Sequence, residues 1–162
     1  MTPEERQLAL ETYAAAYNAV HTTMATVPAE ALHYRPRPGR WTIHEILIHL
    51  ADSECNAYIR CRTIVAEPGG KILAYDQDKW ATELAYTKQS TEEALELFKL
   101  LRSMTVRMLR ALPDAAWART AEHSANGTTS LDDWLSIYAG HIPTHIRQIR
   151  ENLAAWRAAH HE

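Results

Sequence analysis

The chain has 162 residues, of which 46% are apolar, and it carries a net charge of −3 with its histidines neutral. This length suits a single domain, residues 1–162, that buries its own hydrophobic core. The charge balance, with no segment dominated by lysine and arginine, excludes the basic face with which proteins bind nucleic acid. The lack of a run of about eighteen apolar residues excludes a membrane span.

Cysteine usage and the N-terminus both indicate a cytoplasmic protein. Cys55 and Cys61 fall in one predicted helix, where a rise of about 1.5 Å per residue places their Cα atoms roughly 9 Å apart, too far for a disulfide. Two thiols without a disulfide framework suit a reducing compartment. The first residues, MTPEERQLAL, are charged and lack the apolar stretch of a signal peptide.

The first half of the chain predicts two long helices separated by a loop. The first begins after Thr2, which can cap it, and its apolar residues recur at spacings of three and four as far as Met24. Prolines and a glycine then make 28–40 a loop. The second helix begins after Thr42, with a glutamate three residues later as in a capping box, and ends at EPGG, 67–70.

The second half of the chain predicts two further long helices. A connector, 71–90, is expected to carry a short helix around Asp76–Ala85. The third long helix follows directly, capped by Ser90 or by the threonine after it. Residues 119–129 are interpreted as a polar loop, after which Ser130 and an aspartate three residues later open the fourth long helix.

Four amphipathic helices in one domain predict an all-α fold, a four-helix bundle. The loop between the first two helices spans about 14 residues, and the next connection is longer still. Loops of this length permit a crossover connection, so a simple up-down-up-down order does not follow from the sequence.

Three of the nine histidines predict a metal site. His141 and His145, in the sequence HIPTH, lie four residues apart on the fourth helix, about 40° from each other and toward its apolar side. Two imidazoles at this spacing can bind one ion. His49, on the second helix, can supply a third ligand and leave a position open for water, as in catalytic zinc sites. Asp52, one turn later, would orient a ligand or its water.

A simpler interpretation makes the same histidines partly buried side chains that are satisfied by hydrogen bonds. His44 lies about 140° from His49 around the second helix and should not share its ion. Pro143, between the paired histidines, either re-aims them through a kink or is tolerated without consequence. His160 and His161 fall in a C-terminal tail that is expected to fray.

Two segments carry a family resemblance. GRWTIHEILIHLADSE (39–54) resembles the segment of DinB-like proteins in which a Trp-Ser/Thr start leads to a His-Leu-x-Asp core. GTTSLDDWLSIYAGHIPTHIRQI (127–149) resembles their last helix, with its His-x-x-x-His and a following Gln-Ile pair, and its HIP start is similar to the YfiT-like branch of that superfamily. The two segments stand in the family's order and separation, and with the helix pattern the resemblance covers nearly the whole chain.

The resemblance implies a four-helix bundle in which His49, His141 and His145 hold a divalent metal. Zinc or nickel is expected, with manganese and iron as alternatives. It also implies that homodimers are common. Some relatives are thiol transferases, which join a low-molecular-weight thiol to an electrophile, others are metal-dependent hydrolases, and many have no known activity. His123 matches a histidine that often precedes the glycine of the last loop, which implies a place at the pocket rim.

The leading functional hypothesis is therefore a metal-dependent enzyme acting on a small-molecule substrate, as a thiol transferase or a hydrolase. Asp52 or His123 would move the proton. The alternatives are a metal-binding or stress-associated bundle without turnover, and an interaction module without metal. The aromatic and acidic connector segment 74–86 is interpreted as a packing turn over one end of the bundle, with a wall or lid of the metal pocket as the alternative.

Overall fold

Each of the four long helices begins at the capping residue that the sequence predicts. At the second, the Glu45 amide donates to Thr42 Oγ1 at 3.1 Å, and the Thr42 amide donates to Glu45 Oε2 at 2.7 Å. At the last, Ser130 and Asp133 form the same reciprocal pair, at 2.9 Å and 3.1 Å. Such caps satisfy amide groups that the first turn of a helix leaves without a partner. The other two helices are capped by Thr2 and Ser90.

The computed structural model describes residues 1–160, and in that range the chain forms five α-helices and one small sheet. The short third helix lies within the connector, where the sequence predicts one. The elements, in chain order, are α1 (Pro3–Met24), α2 (Ile43–Ala66), β1 (Lys71–Ile72), α3 (Gln77–Glu83), α4 (Thr91–Arg110), β2 (Thr120–His123), β3 (Gly127–Ser130) and α5 (Leu131–His160).

The long helices form a four-helix bundle with crossover connections. Helix α1 packs mainly against α4 and α5, and α2 packs mainly against the same two helices. Helices α1 and α2 therefore lie on one diagonal of the bundle, and α4 and α5 on the other. The loops that follow α1 and α4 cross the bundle end to make these diagonal steps, so the crossover that the long loops permit is present. This order makes α2 and α5, the two helices with the candidate ligands, direct neighbours.

The first turns of α2 form the longest continuous buried stretch of the described residues. Every residue from Ile43 to Ala51 is buried, so its first two turns are covered on all sides. Aliphatic residues of this stretch pack with α1, α4 and α5 in one cluster that includes Phe98 and Ile149. A second cluster surrounds Trp134 farther along the bundle. His49 is therefore presented from a fully packed part of the fold, where each fully buried aliphatic side chain contributes about 1.5–3 kcal/mol.

A buried ion pair joins three helices at the centre of the bundle. Arg102 Nη2 of α4 donates to Glu54 Oε2 of α2 at 2.5 Å, and each side chain is only 2% exposed. Tyr13 of α1 donates its hydroxyl proton to Glu54 Oε1 at 2.6 Å and offers its carbonyl to Arg102 Nη1 at 2.9 Å. The guanidinium carbon also lies 3.7 Å from the centroid of the Tyr13 ring. These contacts compensate for removing both charges from water.

The prediction of a polar loop at 119–129 is wrong for most of that segment. Strands β2 and β3 pair antiparallel, with Thr120 opposite Ser130, and β1 adds in parallel to β2, with Lys71 opposite Glu122. Gly127, with φ at +72°, supplies the left-handed residue after the turn. Strands of two to four residues give too short an alternation to be recognised, and the partner of β2 comes from a distant part of the chain.

The structure also bears on the sequence predictions for the cysteines, for membrane-spanning helices and for the C-terminal end of α5. Both cysteines are free, as their spacing predicts. Within residues 1–160, no helix combines the length and hydropathy that crossing a bilayer requires. His160 is the last residue of α5, and its Nδ1 donates to the Trp156 carbonyl at 2.7 Å, so the helix extends into the stretch that was expected to fray. His161 lies outside the described residues.

Candidate metal centre

Helices α2 and α5 bring together the three histidines that the sequence singles out. His141 Nε2 lies 3.3 Å from His49 Nε2 and 3.0 Å from His145 Nε2. All three ligand atoms fall within 4.8 Å of one another, and they form the only such group of three or more ligand side chains among the described residues. Zinc–imidazole bonds of about 2.0–2.1 Å in a tetrahedral site separate the nitrogens by roughly 3.3 Å. The spacing of the three nitrogens therefore fits one shared ion.

The electrostatic setting keeps these rings neutral. Burial lowers the pKa of His49 to about 3, with a further contribution from His145. Burial, then the neighbouring histidines, lowers the pKa of His141 to about 2. Burial also lowers the pKa of His145, partly offset by its hydrogen bond to Gln148. Neutral imidazole is the form that binds a metal, so no proton has to be displaced from the rings near neutral pH.

Gln148 fixes the tautomer of His145. The two side chains lie one turn apart on α5, and His145 Nδ1 donates to Gln148 Oε1 at 2.9 Å. With its proton on Nδ1, His145 presents the Nε2 lone pair to the centre of the cluster. A single proton on His141 Nε2 could form a hydrogen bond to only one of the two neighbouring Nε2 atoms, whereas one ion can be coordinated by all three rings. The donor set therefore fits a divalent cation better than a cluster held by hydrogen bonds alone.

Trp41 forms a wall of the site beside His49. Its ring centroid lies 4.8 Å from that of His49, with the planes inclined by 49°. Asn152 holds Trp41 in place by donating its amide to the Trp41 carbonyl at 2.8 Å. His49 is 1% exposed, and its Nδ1 is a buried nitrogen with no hydrogen-bond partner within residues 1–160. Neither Trp41 nor Gln148 was identified as a site residue from the sequence, although Gln148 stands at the i+3 spacing from His145 that allows the contact.

Helix α5 runs without interruption through the proline of HIPTH. Pro143 has no amide proton for the carbonyl of Ala139, one turn earlier. The next carbonyl, that of Gly140, accepts a hydrogen bond from the hydroxyl of Thr144 at 3.1 Å. The helix therefore keeps both histidines on one face despite the missing hydrogen bond.

Asp52 lies one turn beyond His49 and is partly buried. Its Oδ2 accepts a hydrogen bond of 2.5 Å from the hydroxyl of Tyr86, whose pKa is raised well above its ordinary value by burial and by this carboxylate. The Tyr86 carbonyl is 3.0 Å from His44 Nε2, so His44 is engaged away from the cluster, in agreement with its predicted direction. Among the described residues, the hydrogen bonds of the Asp52 carboxylate include none to the three histidines, and its catalytic role stays a prediction.

His123 lies on β2, in the hairpin that precedes α5. Its Nδ1 accepts the backbone amides of Ala125 and Asn126, each at 3.2 Å. Burial and the nearby Arg60 lower the pKa of the ring. These contacts place His123 in the turn of the hairpin, outside the three-histidine group, and its role at a pocket rim also stays a prediction.

A cavity of about 160 Å³ opens onto the centre between the loop before α2 and the first turn of α3. His145 and Gln148 lie on one side of it, and Gln77 and Asp78 of α3 lie on another. A second cavity, of about 600 Å³, shares Trp41 and Asp78 with the first. The connector segment 74–86 thus forms a wall of the pocket, which is the alternative interpretation, and its Trp80, Ala81 and Tyr86 also pack against the bundle, as the favoured interpretation expects.

Comparison with known proteins points to one superfamily. The family model described as the DinB superfamily matches residues 12–149, which include all three histidines. A protein of Oceanobacillus iheyensis named "Putative metal-dependent hydrolase" is 34% identical over 127 residues, 78% of this chain and 73% of that protein. A Bacillus mycoides protein with the same descriptive name is 32% identical over 120 residues, 72% of this chain and 69% of that protein.

The architecture agrees with a solved structure. YfiT from Bacillus subtilis, described as "a probable metal-dependent hydrolase with an unusual four-helix bundle topology", superposes with a TM-score of 0.86. The match covers 94% of this chain and 87% of that one at 24% sequence identity, so it supports the fold. The diagonal helix order of the present chain is consistent with such a topology. From the extent of the family match and the identity to the two bacterial relatives, the chain belongs to the DinB superfamily.

Proposed function

We propose that this protein is a divalent-metal-dependent hydrolase, with the ion held by His49, His141 and His145. The observation that carries the proposal is the convergence of three neutral Nε2 atoms at 3.0 and 3.3 Å on two neighbouring helices. The names of the relatives support the hydrolase class. Zinc or nickel suits a set of three imidazoles best, with manganese and iron as alternatives.

A divalent ion in such a site supplies Lewis acidity and makes a bound water or thiol nucleophilic at neutral pH. The chain's own residues prepare the position. Gln148 keeps the proton of His145 on Nδ1, and Trp41 covers His49 and limits water on that side. Asp52, with its hydrogen bond from Tyr86, is proposed to move a proton for the reacting group, and His123 is the second candidate for that role.

A non-catalytic metal site is less consistent with the geometry. Structural zinc sites usually have four protein ligands, whereas three-ligand sites leave a position for water or substrate. Within residues 1–160, no fourth histidine, cysteine, aspartate or glutamate joins the three-histidine group. The cavity beside His145 gives a small molecule access to the remaining position.

Thiol transfer is a second proposal for the same centre, carried by this open position. In that version an ion held by His49, His141 and His145 would lower the pKa of a low-molecular-weight thiol, and the adjoining cavity would hold the electrophile to which the sulfur is joined. Hydrolysis and thiol transfer differ in one measurable property. A thiol cosubstrate should perturb the electronic spectrum of a cobalt-substituted protein, and loss of that response across several thiols would leave the hydrolase version.

The first experiment is elemental analysis of untagged protein beside His49→Ala and His145→Ala. His21→Ala is the matched control, because His21 is an exposed histidine on α1 outside the cluster. We expect near-stoichiometric metal in the wild type and the control, and its loss in both cluster variants. A wild-type protein that binds none of the four metals after reconstitution would refute the proposal. Light scattering on the same samples tests the dimer that the family resemblance predicts.

A further inference from the structure

The cationic side chains at the cavities beside the metal centre are already neutralised by partners within the protein. Arg40, on the wall of the smaller cavity, forms an ion pair with Glu151 of α5, and its Nε lies 3.4 Å from Asn152 Oδ1. Arg35, on the wall of the larger cavity, donates to Glu45 Oε1 at 2.8 Å. These arginines fasten the loop before α2 to the bundle, and neither offers an uncompensated positive charge to a ligand.

Asp78 is different from these paired groups. It lines both cavities, and its carboxylate has no ion-pair partner within 4.0 Å among the residues that the structure describes. The nearby Asp76 is occupied as the cap of α3, because its Oδ1 accepts the amides of Asp78 and Lys79 at 3.1 and 3.0 Å. The two cavities therefore carry one unpaired negative charge, and it stands at their junction.

An aromatic wall accompanies this charge. Trp41 lines both cavities together with Asp78, and on its other side it contacts the ring of His49. A carboxylate beside an indole ring is a favourable environment for an ammonium group, which gains an ion pair and a cation–π contact. His145 lies on the wall of the same smaller cavity, so one molecule can reach both the metal position and Asp78.

We propose that the substrate of this centre carries a cationic amine at the end remote from its metal-binding group, and that Asp78 binds this amine beside Trp41. The inference rests on the proposed function, because it assumes that the three histidines hold an ion with an open position. The smaller cavity, about 160 Å³, limits the size of the part of the substrate that joins the metal-binding group to the amine. A cavity of about 150 Å³ accepts a molecule the size of benzene, so a chain of a few atoms fits.

The test uses small thiols as probes, because thiolate binding to cobalt is visible in the absorption spectrum. The probes are 2-aminoethanethiol and 3-aminopropanethiol, with 2-mercaptoethanol as the neutral analogue and 3-mercaptopropionate as the anionic one. Each is titrated into cobalt-loaded wild type, Asp78→Asn and Glu83→Gln. Glu83 is the matched control, since it is an exposed acid on the same helix that lines neither cavity.

For one of the two aminothiols, we expect Asp78→Asn to weaken binding about two- to fivefold, with little change for 2-mercaptoethanol. Glu83→Gln should bind all four probes as the wild type does. Comparing one probe across variants removes differences in thiol acidity between probes. Circular dichroism checks that the exposed Asp78→Asn change leaves the fold intact.

The outcomes separate the two proposals. If no probe alters the cobalt spectrum of the wild type, the amine site is refuted together with thiol transfer, and the metal content of the wild type and of His145→Ala still decides the hydrolase proposal. If the thiols bind but both aminothiols bind equally to wild type and Asp78→Asn, the metal centre stands and the amine site is refuted. Weaker binding of 3-mercaptopropionate by Asp78→Asn than by the wild type would also refute it, because removing a negative charge should not weaken the binding of an anion.

Discussion

Replacing Gln148 by leucine tests whether the second contact of a ligand histidine sets metal affinity. Leucine keeps most of the volume but removes the oxygen that accepts the proton of His145 Nδ1 at 2.9 Å. His145 is only 7% exposed, so water has limited access to replace that acceptor. The ring then loses both its fixed orientation and the preference for the tautomer that leaves Nε2 free.

Loss of such a contact typically weakens metal binding 10- to 100-fold. This factor corresponds to about 1.4–2.8 kcal/mol. With metal present well above both dissociation constants, the variant should lose the same amount of metal-dependent stabilisation. For a chain of this length we expect the melting temperature of the metal-loaded form to fall by about 3–10 °C, and that of the metal-free form to change less.

The assay is competition with a chromophoric chelator, followed by thermal unfolding with and without metal. Gln148→Glu is the conservative partner, because a carboxylate still accepts the Nδ1 proton and should restore affinity. Arg150→Gln, a change at an exposed position on the same helix, is the control. The reasoning is refuted if Gln148→Leu binds metal within twofold of the wild type while His145→Ala does not bind it.

Three further predictions concern buried and titrating groups outside the cluster. Glu54→Gln or Arg102→Met leaves its partner buried, and we expect either change to lower the free energy of unfolding in urea by about 3–5 kcal/mol. A Glu54→Leu/Arg102→Met double variant should recover most of the loss. Single variants within about 1 kcal/mol of wild type would contradict this. A hydrogen bond from an arginine of α1 lowers the pKa of Asp132. The contribution of Asp132 to the free energy of unfolding, about 1 kcal/mol or less, is therefore present above about pH 4 and is lost as the pH falls through the lowered pKa. Asp132→Asn should make the free energy of unfolding less dependent on pH in that range, and an unchanged profile would count against this reasoning. Burial raises the pKa of Cys61 to about 12 and also raises that of Cys55, which is half-buried. Timed alkylation at pH 8, followed by mass spectrometry, should therefore label both thiols slowly and Cys55 first. Rapid labelling of Cys61 would show that the native core opens.

The sequence predicts the long helices well because their boundaries depend on local chemistry. Thr42 and Ser130 each meet an acid three residues later, and a reciprocal hydrogen bond of this kind needs no information from the rest of the chain. The small sheet escapes prediction for the opposite reason. Strand β1 has two residues, and its partner Thr120–His123 lies some fifty positions away, so neither strand shows a period of its own.

The same contrast holds within the candidate site. The pairing of His141 with His145 follows from helical spacing, and the addition of His49 needs only that α2 faces α5. The cavity is not predictable in this way, because its walls come from the loop before α2 and from α3. Asp78, for example, reaches the same cavity as His145 only because the connector runs back alongside α2 toward the first turns of that helix.

The diagonal helix order explains how one small bundle can hold this centre. Because the first two turns of α2 are buried on every side, His49 is held by packing, and the Glu54–Arg102 pair anchors the same helix a little over one turn later. Helix α5 supplies the other two histidines of the cluster at a spacing that the helix itself maintains. The three Nε2 atoms thus converge from two packed helices. An ion bound there would cross-link α2 and α5, and the cavity edged by α3 would give a substrate access to it from the side of His145.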